Sequence, residues 1–458
     1  MILEQLYTDS LSQASYLIGD ESSGLAVVVD PLRDIQQYLD AAHRRGLTIV
    51  GVFLTHFHAD FLAGHLELAE ETGAWIGLGE RARAGFDARL FSPGERLRLG
   101  EVVVEVMQTP GHTPESISIL VYESADDDIA CAVLTGDSLF VGDVGRVDLQ
   151  ASFGADPVSL AHEQYETIQH TLMSLPDPVR VFPAHGAGSA CGKNLSPDRH
   201  STIGRERATN LSCRPMSADD FVDMITTGQL PVPGYFVEDA RLNRERHALF
   251  DAGRTLRRFA PEELGWITMR GMLILDTRDV EPFVRGHLAA ALNVPLEGRF
   301  AETAGMFLDF AGSGVVLVAE SGQEREALRQ LARIGFDDVA GYVPASNLDD
   351  FAAAGLLVTG ERVDATAFDA LRSELRGEFL LDVRSPGEFG SGAIPDAVNI
   401  PLPQLRNRAG EIPLGSKVLV NCASGWRSGV AASYLASSGY DVSDLRGGYQ
   451  AWQRQMAV

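Results

Sequence analysis

The sequence predicts an α/β multidomain protein, and three observations carry that expectation. The chain has 458 residues, more than one hydrophobic core usually serves, and at about 150 residues per domain it suggests about three domains. Up to about Val181 short apolar runs alternate with helical patterns and with glycine, proline and polar breaks. Beyond residue 270 a strand, loop and helix pattern occurs twice.

In the first part the apolar runs Leu25 to Val29, Ile49 to Leu54, Val102 to Val106, Ile117 to Tyr122, Ala130 to Leu134 and Val179 to Phe182 read as strands of a mostly antiparallel or mixed sheet system. Helical patterns cover Asp34 to Arg45, Gly64 to Glu71 and Pro157 to Leu175, the last behind a capping aspartate, Asp156. This first domain spans residues 1–250. The stretch Asp239 to Arg258 is charged and low in strand signal, so residues 251–267 are expected to form a connector.

The C-terminal part of the chain is duplicated. Leu275-Asp276-Thr277-Arg278, continued to Ala291-Leu292-Asn293-Val294-Pro295, returns as Leu381-Asp382-Val383-Arg384, continued to Ala397-Val398-Asn399-Ile400-Pro401, at a constant offset of 106 positions (276 to 382). A fixed offset over twenty positions marks an internal repeat. Each copy runs on into an apolar strand, Val315 to Ala319 or Val418 to Asn421, and a helix, Arg325 to Ile334 or Ser428 to Ser437. That order reads as an open parallel sheet. The repeats are expected at residues 268–358 and 359–458.

Composition excludes several function classes. The formal net charge of −25 repels phosphate backbones and anionic lipid, and no local basic patch offsets it, so nucleic acid and membrane are not expected partners. No apolar stretch reaches the roughly 18 residues of a membrane span, and Met1 to Leu11 lacks the basic-then-apolar order of a leader; a cytoplasmic protein is expected. Four scattered cysteines, Cys131, Cys191, Cys213 and Cys422, have no paired spacing, which argues against a disulfide framework and leaves reactive thiols to consider.

Four turns leaving strand candidates carry metal-ligating side chains: His56, His58 and Asp60 in Thr55-His56-Phe57-His58-Ala59-Asp60-Phe61; His112 in Thr109-Pro110-Gly111-His112-Thr113; Asp137 in Thr135-Gly136-Asp137-Ser138; and His185 in Pro183-Ala184-His185-Gly186. Imidazole and carboxylate together suit a transition metal, and turns on one side of a sheet system converge. The order of these residues resembles the metallo-β-lactamase superfamily, which implies an αββα sandwich. Phe61 stands where the two-metal hydrolases of that superfamily carry a histidine, and a phenyl ring cannot ligate.

Loss of that ligand leaves His56, His112 and Asp137 as two imidazoles and one carboxylate, the facial set of non-heme Fe(II) oxygenases. The chain thus resembles the persulfide dioxygenases. That resemblance implies one Fe(II) per chain on His56, His112 and Asp137, with His58, Asp60 and His185 orienting ligands or bound water. Thr113 and Arg146 match positions near the thiol substrate or the site wall, which makes Arg146 a candidate anion or structural anchor, although an arginine in Gly145-Arg146-Val147-Asp148 serves equally as a partner of Asp148 or another buried carboxylate. Cys191, beyond His185, is a possible sulfur acceptor, though a small buried thiol is commoner.

In the second repeat Val418 to Asn421 runs into Cys422-Ala423-Ser424-Gly425-Trp426-Arg427-Ser428 and a helix. A cysteine between a buried strand and a helix start faces free backbone N–H groups and the positive end of the dipole, and Arg427 adds positive charge; both favour a thiolate. Cys422 is the strongest nucleophile candidate. This loop, with Asp382-x-Arg384, Glu388-Phe389, Asn399-Ile400-Pro401 and Leu445-Arg446-Gly447-Gly448-Tyr449-Gln450-Ala451-Trp452, resembles the rhodanese sulfurtransferases. Ala393 departs from that family, which often has histidine there. In the first repeat Glu320 falls where Cys422 stands, so that rhodanese-like copy is expected to be degenerate.

Together the resemblances imply a persulfide dioxygenase fused to a degenerate and an active rhodanese domain. Expected partners are a low-molecular-weight thiol persulfide, O2 and sulfite or thiosulfate, in a homo-oligomer. The competing readings are a zinc thioester hydrolase of the glyoxalase II kind and a sulfur-sensing protein without catalysis.

Overall fold

A computed structural model describes residues 1–149, 154–229, 232–374 and 378–456. The chain forms two compact units, Met1–Asp251 with Ala332–Gly335, and Ala252–Leu331 with Phe336–Val458.

In the first unit β1 (Ile2–Thr8), β2 (Gln13–Asp20), β3 (Leu25–Val29), β4 (Thr48–Phe53), β5 (Trp75–Gly79) and β6 (Arg89–Phe91) lie side by side in chain order. The first three pair antiparallel and β3 to β6 parallel. A second sheet runs β7 (Arg96–Leu99), β8 (Val102–Gln108), β9 (Ile117–Tyr122), β10 (Ala132–Gly136), β11 (Arg180–Pro183) and β12 (Ser201–Thr202). It is antiparallel except where β10 and β11 pair parallel.

Packing follows from the alternation of side chains along these strands. Tyr16, Val27, Val29 and Phe53 of the first sheet interleave with Val104, Val106, Ile119 and Leu134 of the second. The outer face of the first sheet, Leu17, Val28 and Val52, is covered by Tyr38, Ala41 and Leu68 from helices Gln36–Arg44 and His65–Thr72. On the other side Val103, Val133 and Val181 are covered by Leu160 and Phe221 from helices Pro157–Glu166 and Ala218–Thr226. The result is a four-layer αββα sandwich, mixed in strand direction.

Two local differences from the sequence reading have physical causes. β2 contains Gln13 and Ser15 yet is buried along its whole length, because both side chains donate to the Asp30 carbonyl, at 2.8 and 2.7 Å. The expected helix Pro157 to Leu175 begins as read, with Asp156 accepting from the Ser159 N–H at 3.0 Å, but after Glu166 it widens into a π turn, Thr167–Thr171, and ends in a 3-10 turn. Along it Gln164 donates to the Ser138 carbonyl and Thr167 to that of Pro110, so the helix grips two of the ligand-bearing turns.

The second unit contains two five-stranded parallel sheets. One comprises β13 (Arg257–Arg258), β14 (Leu273–Asp276), β16 (Leu292–Asn293), β17 (Val315–Ala319) and β18 (Val339–Pro344), with β15 (His287–Leu288) pairing instead with β19 (Leu357–Val358). The other comprises β20 (Glu361–Val363), β21 (Phe379–Asp382), β22 (Val398–Asn399), β23 (Lys417–Asn421) and β24 (Asp441–Leu445). Their orders, β13-β18-β17-β14-β16 and β20-β24-β23-β21-β22, correspond strand for strand. Phe259, Leu264 and Ile267 pack into the core of the first of these sheets. The described residues contain no helix long and apolar enough to cross a membrane.

The repeated landmarks wire the backbone in both copies. Arg278 forks onto Asp276 and donates to the Gly286 carbonyl, as Arg384 forks onto Asp382 and donates to that of Gly392. Asn293 donates to the carbonyls of Asp276 and Arg278, and Asn399 to those of Asp382 and Arg384.

Candidate functional site

In the first unit β4, β8, β10 and β11 release their chains at one edge of the sandwich, and the four ligand-bearing turns meet there. The parallel pairing of Gly136 with Pro183 sets Asp137 and His185 side by side, and the Ile117 N–H to Thr55 carbonyl bond, 2.8 Å, ties the two sheets together beside them. His56 Nε2 stands 3.8 Å and His112 Nε2 3.6 Å from Asp137 Oδ2. Ligand atoms of these three residues all lie within 4.8 Å of one another, and all three residues are buried.

The surroundings suit a cation. His56 Nε2 and Asp137 Oδ2 are buried without a hydrogen-bond partner among the described residues, an arrangement expensive unless something positive sits between them. His112 Nδ1 is 2.7 Å from the Arg146 carbonyl, an acceptor only, so Nδ1 carries the proton and Nε2 presents its lone pair to the cluster. Burial and the facing His58 ring push His56 well below its ordinary range, which keeps it neutral. Burial would raise the Asp137 carboxyl, but His185, His56 and His112 hold it well below its usual range. The donor set of two imidazoles and one carboxylate fits a divalent transition metal.

His58, Asp60 and His185 form the adjoining group. His185 lies between two carboxylates, Nε2 2.8 Å from Asp60 Oδ2 and Nδ1 2.8 Å from Asp137 Oδ1. Burial opposes its protonation, but these two neighbours raise it well above its ordinary range. His58 Nε2 sits 3.0 Å from Asp30 Oδ1, and its ring packs 4.2 Å from that of Phe61, which is fully buried. Cys191 joins Asp60 and His185 in a second cluster of ligand-type atoms; burial, then the nearby Asp60 and Asp137, push its thiol well above the ordinary range.

The two substrate-side candidates are both internally engaged. Thr113 is buried with its hydroxyl 2.7 Å from that of Ser116. Arg146 is buried and forks onto Asp148 at 2.7 and 2.8 Å, with Nη1 donating to the Ala190 carbonyl. Of the two roles open to Arg146, the pairing with Asp148 is the one its geometry presents. Gly145 beside it has no room for a side chain, since a Cβ would strike the Asp137 carbonyl and crowd His112 Nδ1.

Sequence reasoning passed over two residues. Asp30, at φ +52, accepts from the Thr55 N–H and hydroxyl at 2.7 and 2.8 Å, and that hydroxyl lies 3.0 Å from His56 Nδ1. Asn243 donates to the His58 and Phe61 carbonyls, at 2.8 and 2.7 Å, and accepts from the Ala63 N–H. A carboxylate at the end of a buried strand was the available signal for Asp30; Asn243, in a charged segment, offered none.

In the second unit Cys422 leaves β23 and is 1% exposed. Its Sγ accepts from the Gly425 N–H at 3.1 Å, and helix Trp426–Ser437 begins there. The Cys422 and Ala423 carbonyls accept from the Tyr449 and Gln450 N–H groups, at 2.7 and 3.1 Å, so the Gly447-Gly448-Tyr449 segment cradles the loop. Arg427 does not present an uncompensated charge to the sulfur: it forks onto Glu388 at 2.6 and 2.7 Å. In the first copy the exposed Glu320 follows β17, and only residues 320–322 precede helix Gln323–Arg333, against 422–425 in the second.

Comparisons with known proteins agree with this architecture. The model of the metallo-beta-lactamase superfamily matches residues 9–185, a span ending at His185, and that of the rhodanese-like domain matches residues 365–455, which contain Cys422. The mitochondrial persulfide dioxygenase ETHE1 of Mus musculus is 26% identical over 245 residues, 51% of this chain and 84% of that protein. A hydroxyacylglutathione hydrolase of Nitrosococcus oceani is 31% identical over 190 residues, 40% of this chain and 66% of that one. Among solved structures, a metallo-beta-lactamase from Staphylococcus aureus is 31% identical with a TM-score of 0.68, covering 75% of this chain and 99% of its own.

Proposed function

Because this chain belongs to the metallo-beta-lactamase superfamily and carries a rhodanese-like domain towards its C-terminal end, we propose that it is an iron persulfide dioxygenase coupled to a sulfurtransferase. The observation that carries the first half is the facing pair of unpartnered atoms, His56 Nε2 and Asp137 Oδ2, beside the lone pair of His112 Nε2. These three residues would hold an Fe(II) ion, which when bound would supply the chemistry that joins O2 to a persulfide sulfur.

The chain's own residues divide the remaining work. Thr55 and the Arg146 carbonyl fix the two imidazoles; His185, between Asp60 and Asp137, holds Asp137 in orientation. The phenyl ring of Phe61 occupies the position from which a second-metal ligand would act, which favours one metal over two. The overall reaction takes a thiol persulfide, O2 and water to thiol, sulfite and two protons. At Cys422 the thiolate takes the outer sulfur of thiosulfate and releases sulfite, and an acceptor thiol then takes that sulfur as a persulfide; the reverse route uses the same residue. The Gly425 N–H faces the sulfur that carries the charge. The partners are accordingly a low-molecular-weight persulfide, O2 and sulfite or thiosulfate, with a homo-oligomer in the cytoplasm as the working form.

The test is oxygen uptake by Fe(II)-loaded protein on addition of glutathione persulfide, with His112→Ala as control. Uptake with sulfite formation, abolished in the variant, supports the reading. Two zinc ions per chain with oxygen-independent thioester cleavage would overturn it in favour of a hydrolase.

A further inference from the structure

The first repeat has lost its cysteine, yet it packs against the helix that follows the Cys422 loop in the second and against two arginines beside that loop. Its helix Val280–Arg285 makes two separate contacts there. Val280 lies against Gly429, in the first turn of helix Trp426–Ser437; a Cβ at Gly429 would meet Val280 Cγ1 at 2.9 Å, so the approach is set by the absence of a side chain. The adjacent Glu281 places Oε1 2.9 Å from Arg446 Nε and Oε2 3.1 Å from Arg446 Nη2, with Oε1 3.6 Å from Arg362 Nε.

Arg362 is the link inward. Its side chain is 8% exposed, its Nη2 donates to the Gly425 carbonyl at 3.0 Å, and its Nε stands 3.1 Å from Asp444 Oδ2. Gly425 in turn gives its N–H to Cys422 Sγ. At φ +94, with the Arg362 Nη2 2.5 Å from where a Cβ would stand, Gly425 is held by the arginine on one side and serves the sulfur on the other. A buried guanidinium needs a lasting counter-charge. Asp444 supplies one at 3.1 Å, although burial pushes that carboxyl up to about 6, and Glu281 supplies a second at 3.6 Å. Glu281 is held below its ordinary range, first by Arg446 and then by Arg362, and stays an anion.

Resting on the reading of Cys422 as a sulfur carrier, we propose that the degenerate repeat supplies Glu281 as a positioning residue for the Cys422 loop, acting through Arg362 and the backbone on either side of Gly425. The repeat is then retained for alignment of its neighbour.

The experiment uses the full chain with Glu281→Gln, Glu281→Ala and Glu281→Asp, and Cys422→Ser as the blank. Cys422 alkylation by iodoacetamide is followed by mass spectrometry, sulfur transfer from thiosulfate to cyanide by thiocyanate formation, and unfolding by heat. Glu281→Gln and Glu281→Ala are expected to slow both reactions about threefold, the scale of one partly exposed ion pair, with Glu281→Asp restoring most of the rate and the unfolding midpoint unchanged. Arg362→Lys, which loses the hydrogen bond to Gly425, is expected to lose about tenfold. Unchanged alkylation in the Glu281 variants overturns the inference, as does a loss that Asp does not restore and that follows a lowered midpoint. A wild-type chain that alkylates at Cys422 but transfers no sulfur sinks the sulfurtransferase reading instead, while alkylation still judges Glu281.

Discussion

The guanidinium of Arg427 meets the carboxylate of Glu388 through two parallel hydrogen bonds, Nη1 to Oε2 at 2.7 Å and Nη2 to Oε1 at 2.6 Å. Glu388 is therefore a governor on the charge that reaches Cys422. Glu388→Gln is expected to raise the rate of Cys422 alkylation at pH 7 about threefold, since the positive charge is no longer matched. An unchanged rate would show that Arg427 acts on bound substrate only.

The same pair gives a pH prediction. Its hydrogen bonds from Arg427 hold the Glu388 carboxyl down to about 2, against an ordinary 4.5. A carboxylate depressed in the folded state contributes stability that is fully present above 4.5 and is lost as pH falls toward 2. Acid unfolding of Glu388→Gln should be flatter than that of the wild type between those values; superimposable curves would remove the pair from the stability account.

Asp30 holds Thr55, which orients His56, and stands against His58. Asparagine tolerates the left-handed backbone at φ +52, so Asp30→Asn changes the hydrogen bonding without disturbing the chain path. Metal affinity, read by competition with a chelator, is expected to fall about 10- to 100-fold. Unaltered affinity would make Asp30 a folding residue alone.

Phe61 is fully buried against His58. In Phe61→His the new imidazole joins His58, Asp60 and His185, and bound metal is expected to rise from one to two per chain in zinc-supplemented growth, at a stability cost of about 1–3 kcal/mol for a buried polar group before metal is added. One metal per chain in the variant would mean that Phe61 is not what limits the site.

Much of this arrangement was legible because its signals are local. Imidazoles and a carboxylate within five positions after a buried strand are chemically distinctive, and a repeat at constant offset needs no structure to be seen. Asp30 and Asn243 were not legible because their bonds span 25 and 185 residues, and neither type stands out in a turn or a charged helix. The strand β2 escaped because its Gln13 and Ser15 look exposed and are instead satisfied by the Asp30 carbonyl. The spacing next to Asp148 offered Arg146 two roles, and the packed geometry shows the pairing with Asp148.

The loop after β17 is one residue shorter than the loop after β23. Glu320→Cys is therefore expected to take up no sulfur from thiosulfate, measured as persulfide by mass spectrometry in a Cys422→Ser background. Loading at that position would show that a cysteine after the strand is sufficient without the Gly425 peptide.

The Asp, Arg and Asn landmarks shared by the two copies bind backbone, and Glu320, which follows β17 as Cys422 follows β23, lies exposed outside that wiring. A copy can therefore carry a residue other than cysteine there without threatening its architecture, and the first copy keeps the Asp, Arg and Asn marks of that wiring. Counting such marks across a genome enumerates scaffolds; the number of sulfur carriers is read from the single position that follows the central strand.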